Sequence, residues 1–145
     1  MLNDSLRSVK TQYAAFLDYD DVIFRDAYAW LIERLQNTGK NASFGLIYST
    51  VFNLAENRIK QRQVFYDYGK DYQGFLTANH SPIHGLMLNM SKINLGEIEY
   101  FEDMKYMEDY YLTLQIFTET GTDWVSLQER KFIGDYFHYE GKIRL

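Results

Sequence analysis

The stretch Tyr13-Ala14-Ala15-Phe16-Leu17-Asp18-Tyr19-Asp20-Asp21 decides how the rest of the chain is read. Its first half is an unbroken apolar run, the pattern of a strand covered on both faces, as in a parallel sheet. The run stops abruptly at Asp18, Asp20 and Asp21. In open α/β sheets ligands bind outside the carboxyl ends of the strands, so these acids fall where a site belongs. Crowded carboxylates raise one another's pKa unless a cation neutralises them. All-oxygen ligation favours Mg²⁺ or Mn²⁺ over softer metals. The plainer alternative is an acidic turn leading into the next helix, with Asp26 as its cap.

Working outward, Leu2, Leu6 and Val9 share one face of a short helix before the strand. After it, the spacing predicts a helix from Asp26 to Asn37 with a buried stripe of Ala27, Trp30, Leu31 and Leu35, stopped by a left-handed Gly39. Ser43 to Phe52 reads as one strand, rich in aromatic and β-branched residues. The polar stretch 55–82 suggests a strand or irregular arm through Val64-Phe65-Tyr66 and a short helix near 71–78. Within it Arg58-Ile59-Lys60-Gln61-Arg62 reads as a solvated face. Pro82, the only proline, marks a loop, and Leu86-Met87-Leu88 follows as a strand. Helical spacing returns from Met104 to Glu119, with Met107, Tyr110, Tyr111, Leu114 and Phe117 on one face and Gly121 as its stop. Trp124-Val125 and Phe132-Ile133 suggest short final strands. The alternation of helix and strand indicates the α/β class.

The bulk numbers narrow the options. At 145 residues the chain fits a single domain, 1–145, with a real core. Hydrophobic residues at 46% and charged residues at 24% match a globular protein rather than a disordered one. A formal net charge of -5 offers no basic field for nucleic acid. The absence of cysteine excludes disulfides, thiolate catalysis and zinc–sulfur sites. No apolar run approaches the ~18 residues of a membrane span, and the N-terminus lacks a signal peptide's apolar core. A cytoplasmic protein is the expectation, with peripheral membrane association left open to one amphipathic face. The 13 tyrosines and 10 phenylalanines supply rings that fill a core or stack on sugars.

Other residues carry possible chemistry. Glu108 and Asp109 stand at the start of the later helix, where the backbone dipole favours carboxylates; either is also placed to act as a general base. His80 and His84 have a helical metal-ligand spacing, but Pro82 between them argues against a helix. His138 lies in the aromatic segment Gly134-Asp135-Tyr136-Phe137-His138-Tyr139. There is no P-loop, no dinucleotide fingerprint and no nucleophile elbow.

Taken together, these segments resemble the family 2 glycosyltransferases of the GT-A type. Phe16-Leu17-Asp18-Tyr19-Asp20-Asp21 is similar to the strand end that the family writes as LDxDD. Asn79-His80-Ser81-Pro82-Ile83-His84 through Asn89-Met90 resembles the approach to its later central strand. Tyr106-Met107-Glu108-Asp109-Tyr110-Tyr111-Leu112-Thr113-Leu114 is similar to its acidic helix start, with Gln115 where the family carries Arg or Gln. Asp135-Tyr136-Phe137-His138 matches its late histidine. The order of these segments, about ninety residues from first acid to second, carries the likeness.

The resemblance implies a partial GT-A, Rossmann-like mixed sheet with flanking helices, corresponding to the family's C-terminal portion. It implies transfer of a sugar from a nucleotide-diphosphate donor to a glycan or glycolipid acceptor, with inversion. Asp18, Asp20, Asp21 and His138 would hold Mn²⁺ or Mg²⁺, Asp109 would be the base and Glu108 would orient the acceptor. His80, His84 and Tyr106 would contact donor or acceptor. The family's nucleotide-binding half normally precedes the acidic strand, and here only a short stretch does. The rival reading is therefore an inactive remnant or interaction module that needs a separate N-terminal piece, with a sheet edge exposed for homo-oligomerisation. A haloacid dehalogenase type phosphatase shares the D-x-D pattern, but Val22-Ile23-Phe24 departs from what that loop requires.

Overall fold

The computed structural model describes residues 2–64, 71–77, 82–99, 101, 103–104 and 106–141. Helix α1 (Leu2–Ser8) leads into strand β1 (Tyr13–Ala15), β2 (Val22–Ile23) and helix α2 (Ala27–Thr38). Strands β3 (Ala42–Phe44), β4 (Leu46–Asn53) and β5 (Arg58–Val64) follow, then the short α3 (Tyr72–Phe75). A 3₁₀ turn at Ile83–Gly85 delivers the chain to β6 (Leu86–Asn89), and a second covers Met90–Lys92. Helix α4 (Glu108–Ile116), β7 (Thr122–Asp123), α5 (Val125–Glu129) and β8 (Phe132–Glu140) complete the fold.

The class is α/β, and its strands form two mixed sheets. One has the order β1-β6-β3-β7, antiparallel except for β3 with β7; the other runs β2-β8-β4-β5, with β8 and β4 parallel. The predicted single strand from Ser43 to Phe52 is instead two strands, because the chain passes between sheets at Gly45. A side chain there would stand 2.4 Å from the Ile133 side chain, so close packing admits only glycine.

β1 departs from expectation too. It is a half-buried edge strand antiparallel to β6, with Ala14 opposite Leu88, and Leu17 beyond it is 55% exposed. An apolar run does not by itself report whether both faces are covered; here, among the described residues, β6 is its one hydrogen-bonded neighbour.

α2 forms as its spacing indicates. Ala27, Leu31 and Leu35 are buried against Ile47, Met87 and Ile133, each large side chain contributing about 1.5–3 kcal/mol. Trp30 is half-buried at the margin, and Gly39 stops the helix at φ 64° with its N–H on the Leu35 carbonyl. Asp26 makes no side-chain cap bond.

α4 is shorter than predicted and turns a different face inward. Leu112, Thr113 and Ile116 are buried, whereas Met107, Tyr111 and Leu114 are exposed. Two apolar stripes compete on this helix, and the aromatic cluster of Phe44, Phe75, Phe117 and Trp124 selects the one it can pack against. Phe117 reaches that cluster from extended backbone after the helix has ended. The expected strand at Trp124-Val125 is the start of α5; of the predicted arm through Val64-Phe65-Tyr66, Val64 ends the exposed edge strand β5, which contains the basic run, and Phe65 and Tyr66 lie outside the described residues.

Candidate functional site

The site begins with the turn that follows β1. The Asp21 N–H donates to the Asp18 carbonyl at 3.2 Å, closing a tight turn with Tyr19 and Asp20 at its corner. Tyr19 is fully exposed. The next residues are pinned at once: Val22 pairs with Asp135 and Ile23 with Gly134 on β8. Gly134 permits this approach, since a side chain there would lie 2.4 Å from the Val22 carbonyl oxygen. On the other leg of the turn, the Tyr28 hydroxyl of α2 donates to the Phe16 carbonyl at 3.1 Å.

The turn separates the three acids. Asp18 is exposed and Asp20 half-exposed, but the Asp21 side chain is 2% exposed and lies against His84, itself 1% exposed. His84 Nδ1 is 2.9 Å from Asp21 Oδ2. Burial first, then the charges of Asp18 and Asp20, push the Asp21 carboxyl up to about 6, with the Phe137 backbone amide pulling the other way. Burial drives His84 down to about 4, opposed by Asp20. At neutral pH the imidazole is therefore uncharged and its Nδ1–H donates to an ionised Asp21. Among the described residues Asp21 Oδ1 and His84 Nε2 have no hydrogen-bond partner.

A second acidic segment comes to the same place. α4 starts at Glu108 after Met107, which adopts a left-handed conformation at φ 61°. That reversal brings Tyr106, Met107, Glu108 and Asp109 to a cavity of about 520 Å³ whose other walls are Phe16, Leu17, Asp18, Asp21, Pro82, Ile83, His84 and Tyr136. Glu108 and Asp109 are half-buried, and Asp109 Oδ1 accepts the Tyr110 N–H at 2.7 Å. The Tyr136 hydroxyl is raised by burial and then by Asp21, Asp20, Asp18 and Asp109, so both acidic segments act on one ring. Gln115 does not reach this cavity's lining; its amide bonds the Glu99 backbone. A larger hollow of about 620 Å³ lies between the start of α2 and β8, where Lys131 sits over the Trp30 ring at 5.4 Å. Asp26, read from the sequence as a helix cap, lines it, but none of the acids or histidines read as site residues does.

The structure thus brings together Asp18, Asp21, His84, Tyr106, Glu108 and Asp109. It does not bring His138 to them: that side chain is exposed on β8 with its ring edge-on to Tyr136 at 4.8 Å. His80 lies outside the described residues. Among the described residues no group of three or more acids or histidines is arranged to hold a metal ion. The four-ligand set of Asp18, Asp20, Asp21 and His138 is therefore not gathered as a metal site, and the Asp21 side chain is turned inward against His84. Mg²⁺-like cations are commonly held by one or two carboxylates together with substrate phosphates, and Asp18 and Asp20 present carboxylates at the turn. Two contributions had no signal in the sequence: Tyr136 as a wall of the cavity, and His84 as the partner of Asp21.

Comparison with known proteins finds no matching family model and no matching curated protein. Among the described residues no helix is long and apolar enough to cross a membrane.

Proposed function

We propose that this chain is part of a glycosyltransferase that moves a sugar from a nucleotide-diphosphate donor to a hydroxyl of a glycan or glycolipid acceptor, inverting the anomeric centre. The observation that carries the reading is the meeting of Asp18 and Asp21 with Glu108 and Asp109 on one cavity at the end of β1. Asp109 takes the proton of the attacking hydroxyl as the new glycosidic bond forms and the sugar–phosphate bond breaks. Glu108 orients that hydroxyl, and Tyr106, 82% exposed at the rim, offers a ring to a sugar face. Asp18 and Asp20 would be the residues to hold Mn²⁺ or Mg²⁺ together with the diphosphate. When bound, the cation supplies neutralisation of charge on the leaving nucleoside diphosphate.

The test is calorimetric titration of the chain with UDP and Mn²⁺, beside an Asp20→Asn variant, followed by a screen of nucleotide-sugar donors. Metal-dependent binding that the variant loses supports the reading. Absence of binding in both proteins sinks it for this chain alone.

A second reading has its own observation. β1 stands at the end of its sheet with β6 as its hydrogen-bonded neighbour. An edge strand of this kind accepts another strand, which favours a module that joins a separate nucleotide-binding piece or a second copy of itself. Sedimentation analysis distinguishes the two, since a stable monomer that binds UDP and Mn²⁺ argues against the module.

A further inference from the structure

We infer that Asp21 and His84 are a positioning pair: the imidazole holds the last carboxylate of the acidic turn inward, and this fixes the rest of the turn, with Asp18 on the cavity wall and Asp20 beside it. The geometry is that of a joint. Asp21 is the last residue of the turn, tied back to Asp18 by its own N–H, and β2 begins at the next position. Its carboxylate meets a ring from the 3₁₀ turn that precedes β6, a distant part of the chain. The same 3₁₀ turn faces the other leg, because the Tyr28 hydroxyl that bonds the Phe16 carbonyl lies 3.5 Å from the His84 carbonyl. Both ends of the acidic turn are thus strapped to one support.

Stability does not account for the arrangement. Among the described residues each partner keeps one buried polar atom without a hydrogen bond, Asp21 Oδ1 and His84 Nε2, which costs folding free energy. Buried polar pairs of this kind are commonly matched or bettered by apolar pairs of similar volume. What an apolar pair cannot supply is a directional bond that selects one orientation of the turn. His84 is accordingly a positioning residue, acting on ligand through the turn.

The proposal rests on the glycosyltransferase reading for its ligand alone, so the experiment has two arms. In the first, amide hydrogen exchange across residues 17–22 and urea midpoints are measured for the full chain and for His84→Leu, His84→Asn and the double variant Asp21→Leu/His84→Leu. Asn retains a donor near the Nδ1 position. We expect exchange to accelerate about tenfold or more in His84→Leu, to stay within about threefold in His84→Asn, and to remain fast in the double variant although its urea midpoint recovers. A double variant that recovers both stability and slow exchange would make the pair merely structural and overturn the proposal. So would unchanged exchange in His84→Leu. In the second arm, Mn²⁺ with UDP is titrated into the same proteins. Affinity about tenfold weaker in His84→Leu and restored in His84→Asn supports the proposal; equal affinity in both overturns it. Failure of the unsubstituted chain to bind Mn²⁺ and UDP counts against the glycosyltransferase reading, and the exchange arm then decides the positioning pair by itself.

Discussion

Arg34 on α2 grips Asp123 on β7 with two parallel bonds, Nε to Oδ2 at 2.8 Å and Nη2 to Oδ1 at 2.9 Å. The Asp123 side chain is 6% exposed and also accepts the Ser43 hydroxyl of β3 at 3.3 Å. This pair fastens the helix that follows the acidic turn to the far edge of the sheet that begins with β1. Removing one member leaves a buried charge, which is costlier than the pair is valuable. Because Arg34 is 29% exposed, we expect Arg34→Met to lose about 2–3 kcal/mol rather than the full buried-pair cost. Urea unfolding measures it, and a loss near zero would show that Ser43 and water suffice for Asp123.

Asp109→Asn tests the proposed base. It is isosteric, and the carboxylate oxygen that accepts the Tyr110 N–H is replaced by an amide oxygen that does the same. We expect turnover to fall by about 10²–10⁴-fold while UDP binding and the urea midpoint stay near those of the parent chain. Full turnover in this variant removes Asp109 from the role.

The pH dependence of stability carries the signature of Asp21 and His84. A carboxyl raised from 3.8 to about 6 contributes stability that is present below pH 3.8 and is lost as pH rises through about 6. An imidazole lowered from 6.5 to about 4 contributes stability that is present above pH 6.5 and is lost as pH falls through about 4. Between about pH 4 and 6 the two slopes oppose, so their joint contribution is shallow. In His84→Leu the carboxyl slope stands alone and stability declines with rising pH across that window. In Asp21→Leu it rises instead. Urea midpoints at several pH values read both signs, and like slopes in the two variants would contradict the assignment.

Met107 holds φ at 61° immediately before the acidic helix. A non-glycine residue there carries about 1–2 kcal/mol of left-handed strain. We expect Met107→Gly to be neutral or stabilising by up to about 1 kcal/mol, and Met107→Val to lose about 1–2 kcal/mol, since branching at Cβ worsens the clash. Thermal unfolding of the two variants is sufficient to compare them.

Gly134→Ala attacks the site from the opposite side. The new methyl group would lie 2.4 Å from the Val22 carbonyl oxygen, a backbone atom that moves only if β2 moves. We expect a loss of about 1–3 kcal/mol, together with faster amide exchange at Val22 and Ile23. Retained protection at those amides would mean that β8 yields instead.

Much of this protein is legible without its structure. Local chemistry determines the short N-terminal helix, α2 with its Ala27, Leu31 and Leu35 stripe, the glycine stop at Gly39 and the strand through Leu86–Leu88, because 3.6-residue periodicity and left-handed glycine are properties of a few neighbouring residues. The acids at the end of the apolar run, and those opening the later helix, are visible as residue types at chain positions where sites form. Tertiary structure alone decided the rest. Whether α4 buries Leu112 and Ile116 or Met107 and Leu114 depended on where Phe44, Phe75 and Trp124 stood. Gly45 divides one apparent strand between two sheets because Ile133, far along the chain, occupies the space beside it. Three acids that look equivalent in Asp18-Tyr19-Asp20-Asp21 became unequal when a histidine from a separate segment took one of them inward. Periodicity records what a segment offers to its surroundings; orientation, burial and partner are fixed only when non-local contacts exclude water from one face and leave the other to it.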